Sequence, residues 1–355
     1  MPIPLVREVP LKQDRQRFFY NLVRSLEPFG AMETTMAKYR DSLPQIGGDF
    51  FMTDGGIETT LIFHDGQELP YFAAFHLLKT PAGESVLRAY FRTYAELARK
   101  LNIGLILEAA TWRSNPDWGA KLGYNADSLA AANREAVRLL EEIRSEYESE
   151  TSPIVISGCI GPRGDGYVPD RAMSESEAED YHQQQVRTFA GTAADLVTAI
   201  TMNYVEEAIG VTRAARAASM PAVISFTVET DGKLPTGQSL EGAIRQVDDA
   251  TSAYPAYFMI NCAHPGHFDH AIRSNESWTA RVRGLRANAS RMSHAELNEA
   301  PELDAGNPAE LGRECAALRT LKLKHLNVMG GCCGTDHRHV EQIAIACQPT
   351  FCGAA

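Results

Sequence analysis

The sequence predicts an α/β protein: a (β/α)8 TIM-like barrel over residues 49–355, preceded by an N-terminal helical extension over residues 1–48. Short, apolar, β-rich runs alternate eight times with longer amphipathic stretches rich in Ala, Arg and Glu. Such alternation implies parallel strands, because each crossover buries a helix on the face of the sheet. Eight units over roughly 280 residues match a barrel. A doubly wound open sheet is the alternative, but no G-x-G-x-x-G sequence follows the first predicted strand.

The eight predicted strands are short runs in which apolar residues dominate. In chain order they are Phe50–Asp54, Ile103–Glu108, Pro153–Gly158, Asp195–Thr201, Pro221–Phe226, Ala256–Cys262, Val282–Ala287 and His325–Met329. The predicted helices between them include Gly83–Lys100, Ser128–Ser145, Glu175–Ala193, Val205–Ala218 and Gly242–Thr251. Two further helical stretches, Arg15–Leu26 and Met32–Ser42, form the predicted extension, which we expect to pack on the outside of the barrel or on a partner.

Composition and charge limit the possible functions. The chain has 355 residues, of which 44% are hydrophobic and 22% charged, as is typical of a globular enzyme. A net charge of −11 argues against a nucleic-acid partner, whose phosphates require a basic surface. No stretch is long and apolar enough for a membrane helix, and the first residues lack the hydrophobic region of a secretory signal. We therefore expect a cytoplasmic protein that does not bind membranes and that could form a homo-oligomer.

Barrel enzymes carry their chemistry at the carboxyl ends of the strands, and polar residues of this sequence collect there. The residues that we expect to bind substrate are Asp54, Gly55, Gly56, Glu108, Thr111, Glu229, Asn261 and Asn288. The coincidence of predicted position and chemistry is stronger than any single residue.

The cysteines predict a metal site. Seven cysteines are too few, and odd in number, for a disulfide framework in a chain of this length. Cys332 and Cys333 are adjacent, and the glycines around them allow the sharp bend that turns both toward one ion. Cys262 ends the sixth predicted strand and therefore opens onto the same barrel mouth. Three sulfurs suit zinc, and three protein ligands leave one position open, as in catalytic zinc sites. The alternative is that these cysteines are small buried hydrophobic residues.

Several segments resemble the homocysteine S-methyltransferase family. The zinc signature of that family is similar to Met329–Thr335 (MGGCCGT), with Ile260–Cys262 (INC) upstream. Weaker matches are Asp54–Gly56, Ser157–Pro162 and Val223–Thr227, so that the resemblance runs from about residue 50 to about residue 346. The resemblance implies Zn²⁺ held by Cys262, Cys332 and Cys333, and methyl transfer to a small-molecule thiol such as homocysteine in methionine biosynthesis. It implies an onium methyl donor: S-methylmethionine, S-adenosylmethionine or glycine betaine.

Two positions depart from the pattern of this family. The family usually has a glutamate at the end of the fourth strand, which is implied to hold the amino group of homocysteine, and this sequence has Ile200 at or beside that place. Glu58 stands where the family commonly has a small residue. Either another carboxylate, Glu108 or Glu229, has taken over amine recognition, or the acceptor is a different thiol.

Other residues leave alternatives open. Four aromatic residues near strand ends could surround a sulfonium or quaternary ammonium group, or could simply pack at the barrel mouth: Trp112, Tyr167, Tyr204 and Phe226. His337 and His339 are more consistent with the face of a helix that Thr335 and Asp336 cap than with metal ligands. A methyltransferase that works with a separate corrinoid partner, and a zinc-binding family member without activity, are the competing functions.

Overall fold

The computed structural model describes residues 36–170, 172–300 and 302–351. These residues confirm the predicted fold: eight parallel strands form one closed barrel, in which β8 pairs with β1. The strands are β1 (Phe51–Met52), β2 (Gly104–Glu108), β3 (Ile154–Ile160), β4 (Leu196–Met202), β5 (Ala222–Thr227), β6 (Tyr257–Ala263), β7 (Val282–Ala287) and β8 (Val328–Gly331). β8 begins later than predicted because a turn, in which the Leu326 amide bonds the Leu323 carbonyl, occupies the start of the predicted segment.

Within the described ranges, seven longer helices accompany the strands. They are α1 (Pro81–Leu101), α2 (Ala126–Tyr147), α3 (Glu175–Ala190), α4 (Val205–Ala217), α5 (Leu240–Thr251), α6 (Pro308–Leu321) and α7 (His337–Cys347). Shorter helices are Ile57–Thr59, Pro116–Lys121, Pro265–Phe268 and His294–Glu299, with a π-helix at Thr60–His64 and 3₁₀-helices at Pro44–Gly47, Pro70–Phe72, Ala74–Lys79, Asp269–Ala271, Ser277–Arg281 and Gln348–Thr350. Residues 264–281, all described, hold only short helices between β6 and β7.

Local sequence explains where the helices begin. Thr80 caps α1 by accepting from the Gly83 amide, and Pro81 then occupies the first turn, where no amide hydrogen is needed. Ser174 and Glu177 form a reciprocal capping box at the start of α3. Among the described residues, no helix is long and apolar enough to cross a membrane.

Residues 36–48 close the amino-terminal end of the barrel. The Tyr39 amide donates to Asp195 at 2.7 Å, and the Arg40 guanidinium donates to backbone carbonyls, among them that of Ala194 at 2.7 Å. Residues 36–42 form bends and turns rather than the predicted helix, since these contacts spread the backbone over the barrel. The other predicted helix of the extension, Arg15–Leu26, lies outside the described residues.

The barrel interior is packed at its amino-terminal end and open at the other. One interior cluster takes side chains from seven of the strands: Phe51, Ile106, Val155, Leu196, Val223, Tyr257, Met259 and Val328. A larger core lies between the strands and the surrounding helices. Because the interior cluster fills the lower layers, the carboxyl ends of the strands are left to form a cavity.

Candidate active site

Cys262, Cys332 and Cys333 lie together at the carboxyl end of the barrel. Cys262 belongs to β6, and the other two directly follow β8. The Sγ atoms of Cys262 and Cys333 are 3.9 Å apart, and all three Sγ atoms lie within 4.8 Å of one another. Zinc–sulfur bonds of about 2.3 Å in a tetrahedron place two sulfurs about 3.8 Å apart. The three sulfurs therefore fit a tetrahedral zinc ion that keeps one position for another ligand.

The backbone around the cysteines depends on glycines and on one residue with an unusual φ angle. A Cβ on Gly331, the last residue of β8, would stand 1.9 Å from Thr335 Oγ1, so this position admits no larger side chain. Gly334, in the turn that follows, has φ +77°, where any other residue would be strained. Cys262 itself has a left-handed φ of 53°, and the pairing of β6 with β7 is irregular between Asn261 and Ala263. The left-handed φ of Cys262 is strained and persists only because surrounding contacts stabilise it, as is common in functional sites.

A polar chain supports Cys262 from behind. His294 Nε2 lies 2.6 Å from the Cys262 carbonyl oxygen, to which it donates, and Nδ1 lies 3.1 Å from Glu229. The ring of His294 packs on the ring of Tyr167 with centroids 4.1 Å apart, and the Tyr167 hydroxyl reaches to 3.7 Å from Cys333 Sγ. Hydrogen bonds from the thiols of Cys332 and Cys333, with a smaller contribution from Tyr167, hold the pKa of Cys262 well below its ordinary value. Cys262 thus favours the thiolate, the form that binds metals, while the same hydrogen bonds raise the pKa of Cys332 and Cys333.

A cavity of about 590 Å³ opens beside the three sulfurs. Five of the residues predicted to bind substrate line it: Asp54, Gly55, Gly56, Glu108 and Asn288. Asn288 Oδ1 is buried and finds no hydrogen-bond partner among the described residues. It is therefore a polar atom whose partner a substrate can supply.

Three other predicted substrate residues lie behind the cavity wall instead. The Thr111 hydroxyl donates to the Cys159 carbonyl at 2.7 Å, and Glu229 bonds His294. Asn261 donates to Thr201 Oγ1 and accepts from the Thr201 amide at 3.0 Å, which fixes the irregular end of β4. These hydrogen bonds suggest a positioning role for the three residues, and their contact with substrate stays a prediction.

Arg286 is the main site residue that the sequence analysis missed. Its Nη1 forms an ion pair with Asp54 Oδ1 at 2.6 Å, and Nη2 donates to the Gly55 carbonyl at 3.1 Å. Tyr90 also donates to Asp54, at 2.9 Å. An arginine within the otherwise buried strand β7 was the signal, since charged residues are almost never fully buried without a partner.

Glu108 is a buried carboxyl at the cavity surface. Burial raises its pKa from the usual 4.5 to about 7, against the lowering effects of Arg286 and of hydrogen bonds with Ser157 and Thr198. Its Oε2 has no hydrogen-bond partner within the described ranges. The carboxyl is therefore partly protonated near neutral pH.

This pKa predicts a pH-dependent stability. Between 4.5 and about 7 the folded protein binds more protons at Glu108 than the unfolded chain does. The stabilisation from this proton uptake is fully present below the unfolded pKa of 4.5 and is lost as the pH rises through the folded pKa of about 7. The loss is on the order of 3 kcal/mol. We expect Glu108→Gln to become more stable relative to the wild type between about pH 5 and pH 8 in urea unfolding. A stability difference that stays constant over this range would contradict the assignment.

The remaining predicted residues divide between cavity and core. Trp112 and Tyr167 line the cavity, whereas Phe226 stacks on Phe258 in the core and Tyr204 accepts a hydrogen bond from the Met173 amide. Ile200 lines the cavity beside Thr201, because a bulge in β4 turns both toward it.

The two histidines after the cysteines lie apart from the metal cluster. His339 is buried in α7, where it bonds Asp336 and the Ala305 carbonyl. His337 is the first residue of the same helix. Among the described residues, the group able to hold a metal is therefore the three cysteines alone.

Comparisons with known proteins agree with this geometry. The model of the family described as homocysteine S-methyltransferase matches residues 51–347. Homocysteine S-methyltransferase 1 of Arabidopsis thaliana is 21% identical over 333 residues, which cover 88% of this chain and 98% of that protein. Homocysteine S-methyltransferase YbgG of Bacillus subtilis (strain 168) is 26% identical over 231 residues, covering 61% of this chain and 68% of that protein.

Crystal structures of the homocysteine methyltransferase MmuM from Escherichia coli share the fold. The oxidized form superposes with a TM-score of 0.65 at 18% identity, over 84% of this chain and 96% of that one. The metallated form gives a TM-score of 0.63 at 18% identity, over 85% and 96%. At 18% identity the structural likeness shows a shared fold, whereas the match of the family model over most of the chain shows family membership. The chain belongs to the homocysteine S-methyltransferase family.

Proposed function

We propose that this methyltransferase is zinc-dependent and moves a methyl group from an onium donor to a thiol acceptor such as homocysteine. Membership of the family makes the chain a thiol methyltransferase; the metal, the donor and the acceptor are the proposal. The observation that carries it is the cluster of three cysteine sulfurs within 4.8 Å of one another at the surface of a deep cavity. A metallated form of the E. coli relative supports a metal at such a site.

The donor set fits zinc better than the harder metals. Thiolates are soft ligands that select zinc over magnesium or calcium, and three sulfurs without a carboxylate match catalytic zinc sites that keep one position free. Cys262, Cys332 and Cys333 would hold the ion. When bound, zinc supplies a positive charge that favours the thiolate form of an entering thiol at neutral pH.

The protein's own groups fix the geometry of the transfer. Attack of sulfur on a methyl carbon requires sulfur, carbon and leaving group in line, and positioned groups can provide much of the rate. Tyr167 and His294 pack on each other and hold the Cys262 and Cys333 side of the cavity. Tyr167 lines the cavity, where an aromatic ring attracts onium cations, whereas the Trp112 ring, which also lines it, already holds the guanidinium of Arg113. The sulfonium or ammonium donor leaves as a neutral sulfide or amine.

A methylation assay with and without chelator tests the proposal. Homocysteine is incubated with reduced protein and, separately, with S-methylmethionine, S-adenosylmethionine and glycine betaine. We expect methionine to form with at least one donor, and the activity to vanish with chelator and return on adding zinc. Undiminished methylation after complete removal of zinc would contradict the metal's role. A cytoplasmic location and a homo-oligomeric state are also proposed, from the sequence alone.

A further inference from the structure

Glu58 places a carboxyl group inside the cavity, where, among the described residues, only its own backbone amide contributes a hydrogen bond. It lies on the short helix Ile57–Thr59 after β1 and lines the same cavity as the three cysteines. Within the described part of the chain, its carboxylate forms no hydrogen bond or ion pair with another residue. Burial raises the pKa of Glu58 to about 7, the charges of Asp54 and Cys262 add to this rise, and the charge of Arg113 lowers it, so these three groups are near enough to act on the carboxyl. A bound ammonium group would favour the ionised form in the same way as Arg113 does.

Arg113 is the cationic counterpart on the cavity wall. Its guanidinium is held between the rings of Trp112 and Trp118, at 4.0 and 4.1 Å from their centroids. Nη1 donates to the Gly164 carbonyl at 2.9 Å. The residue is 5% exposed, and its Nε finds no hydrogen-bond partner among the described residues. A guanidinium fixed in this way, with donors to spare, is suited to hold a carboxylate.

The two charged groups attract each other but are not in contact. Burial lowers the pKa of Arg113, and the charges of Asp165 and then Glu58 raise it, while Arg113 lowers the pKa of Glu58. The described residues nevertheless include no ion pair between Glu58 and Arg113. A half-buried carboxylate and a buried guanidinium in one cavity would normally close into a direct pair, since unpaired charge is costly to bury. A ligand with an ammonium and a carboxylate on one carbon carries the two charges that complement Glu58 and Arg113 on the wall of this cavity.

We propose that Glu58 and Arg113 are specificity-determining residues that bind the ammonium and the carboxylate of a thiol-bearing α-amino acid. This inference rests on the proposed function and adds which side chains select the acceptor. It revises the candidates named from the sequence, because Glu229 bonds His294 behind the wall and the carboxyl of Glu108 already has the charge of Arg286 beside it. Ile200, which lines the same cavity, offers an ammonium group no polar side-chain atom.

Calorimetric binding to the zinc-loaded protein tests the inference without knowledge of the methyl donor. Three probes are compared: homocysteine, 3-mercaptopropylamine, which lacks the carboxylate, and 4-mercaptobutanoate, which lacks the amine. Glu58→Gln should weaken the first two by about 10- to 100-fold and leave the third within about twofold. Arg113→Met should weaken homocysteine and 4-mercaptobutanoate by a similar factor and leave 3-mercaptopropylamine unchanged. Glu302→Gln removes an exposed carboxylate that lines the same cavity and should change none of the three.

The outcomes separate this inference from the proposed function. If Glu58→Gln weakens all three probes equally, or leaves homocysteine binding unchanged, the recognition role is overturned even when the wild type methylates thiols. If the wild type binds none of the probes, the inference is likewise overturned. If the expected pattern of binding is found but no thiol is methylated with any donor, the inference stands and the proposed function fails. Circular dichroism and zinc content show that each variant is folded and loaded.

Discussion

Replacing Cys332 by Ala is expected to abolish methyl transfer and to remove most of the zinc while leaving the barrel folded. Loss of a group that only supports a metal ligand lowers metal affinity by about 10- to 100-fold. Removing one of the three thiolates themselves should lower the affinity for zinc by more than this. The barrel should persist, because its stability comes from the interior cluster and the core between strands and helices, both away from Cys332. Zinc per chain, the rate of homocysteine methylation and the thermal midpoint are the measurements.

Cys159→Ala is the matched control for the cysteine variants. Cys159 also lines the cavity but is not among the sulfurs of the metal cluster. We expect this variant to keep its zinc, whereas Cys262→Ala and Cys333→Ala should behave like Cys332→Ala, since ligands of one metal act as a unit. A Cys332 variant with full zinc and full activity beside this control would show that the ligands are wrongly assigned.

Replacing Arg286 by Met is expected to lower the free energy of unfolding by about 3–5 kcal/mol. The side chains of Arg286 and Asp54 are 6% and 2% exposed, so removal of the guanidinium leaves the Asp54 carboxylate buried without its ion pair. Glu108 also loses a favourable charge, because Arg286 lowers the pKa of its carboxyl. Urea unfolding measures the change.

A double variant and a surface variant complete this test. Asp54→Asn together with Arg286→Met removes both charges and should recover part of the lost stability, as replacement of a whole buried pair costs less than breaking it. Arg245→Met breaks an exposed pair with Glu241 and should change the free energy of unfolding by less than about 1 kcal/mol. An Arg286 variant as stable as the Arg245 variant would contradict the role of the buried pair.

The sequence was sufficient to predict the barrel because its main signals are local. Each strand is a short buried run, and alternation with amphipathic helices leaves few other topologies. The cysteine cluster could also be predicted, since glycines mark the turn at Cys332 and Cys333 and the order of the strands places Cys262 at the same end.

The direction of individual side chains at the strand ends could not be read from the sequence. Bulges near Thr201 and Cys262 change which residues face the cavity, and a shift of one residue in a strand reverses its faces. The sequence places Asn261 and Thr111 among the substrate-binding residues, whereas in the structure their side chains bond Thr201 and Cys159 in the cavity wall. Their contact with substrate stays a prediction. Arg286 was missed for a related reason: within an apolar run its charge gave no indication of its partner Asp54, which is far away in the chain.

The zinc content and sulfur coordination of freshly purified, reduced wild-type protein test the central claim most directly. Elemental analysis combined with X-ray absorption at the zinc edge should find about one zinc per chain bound by three protein sulfurs at about 2.3 Å. Reduced protein that methylates thiols but contains no zinc, or that holds zinc without sulfur ligands, would contradict the account.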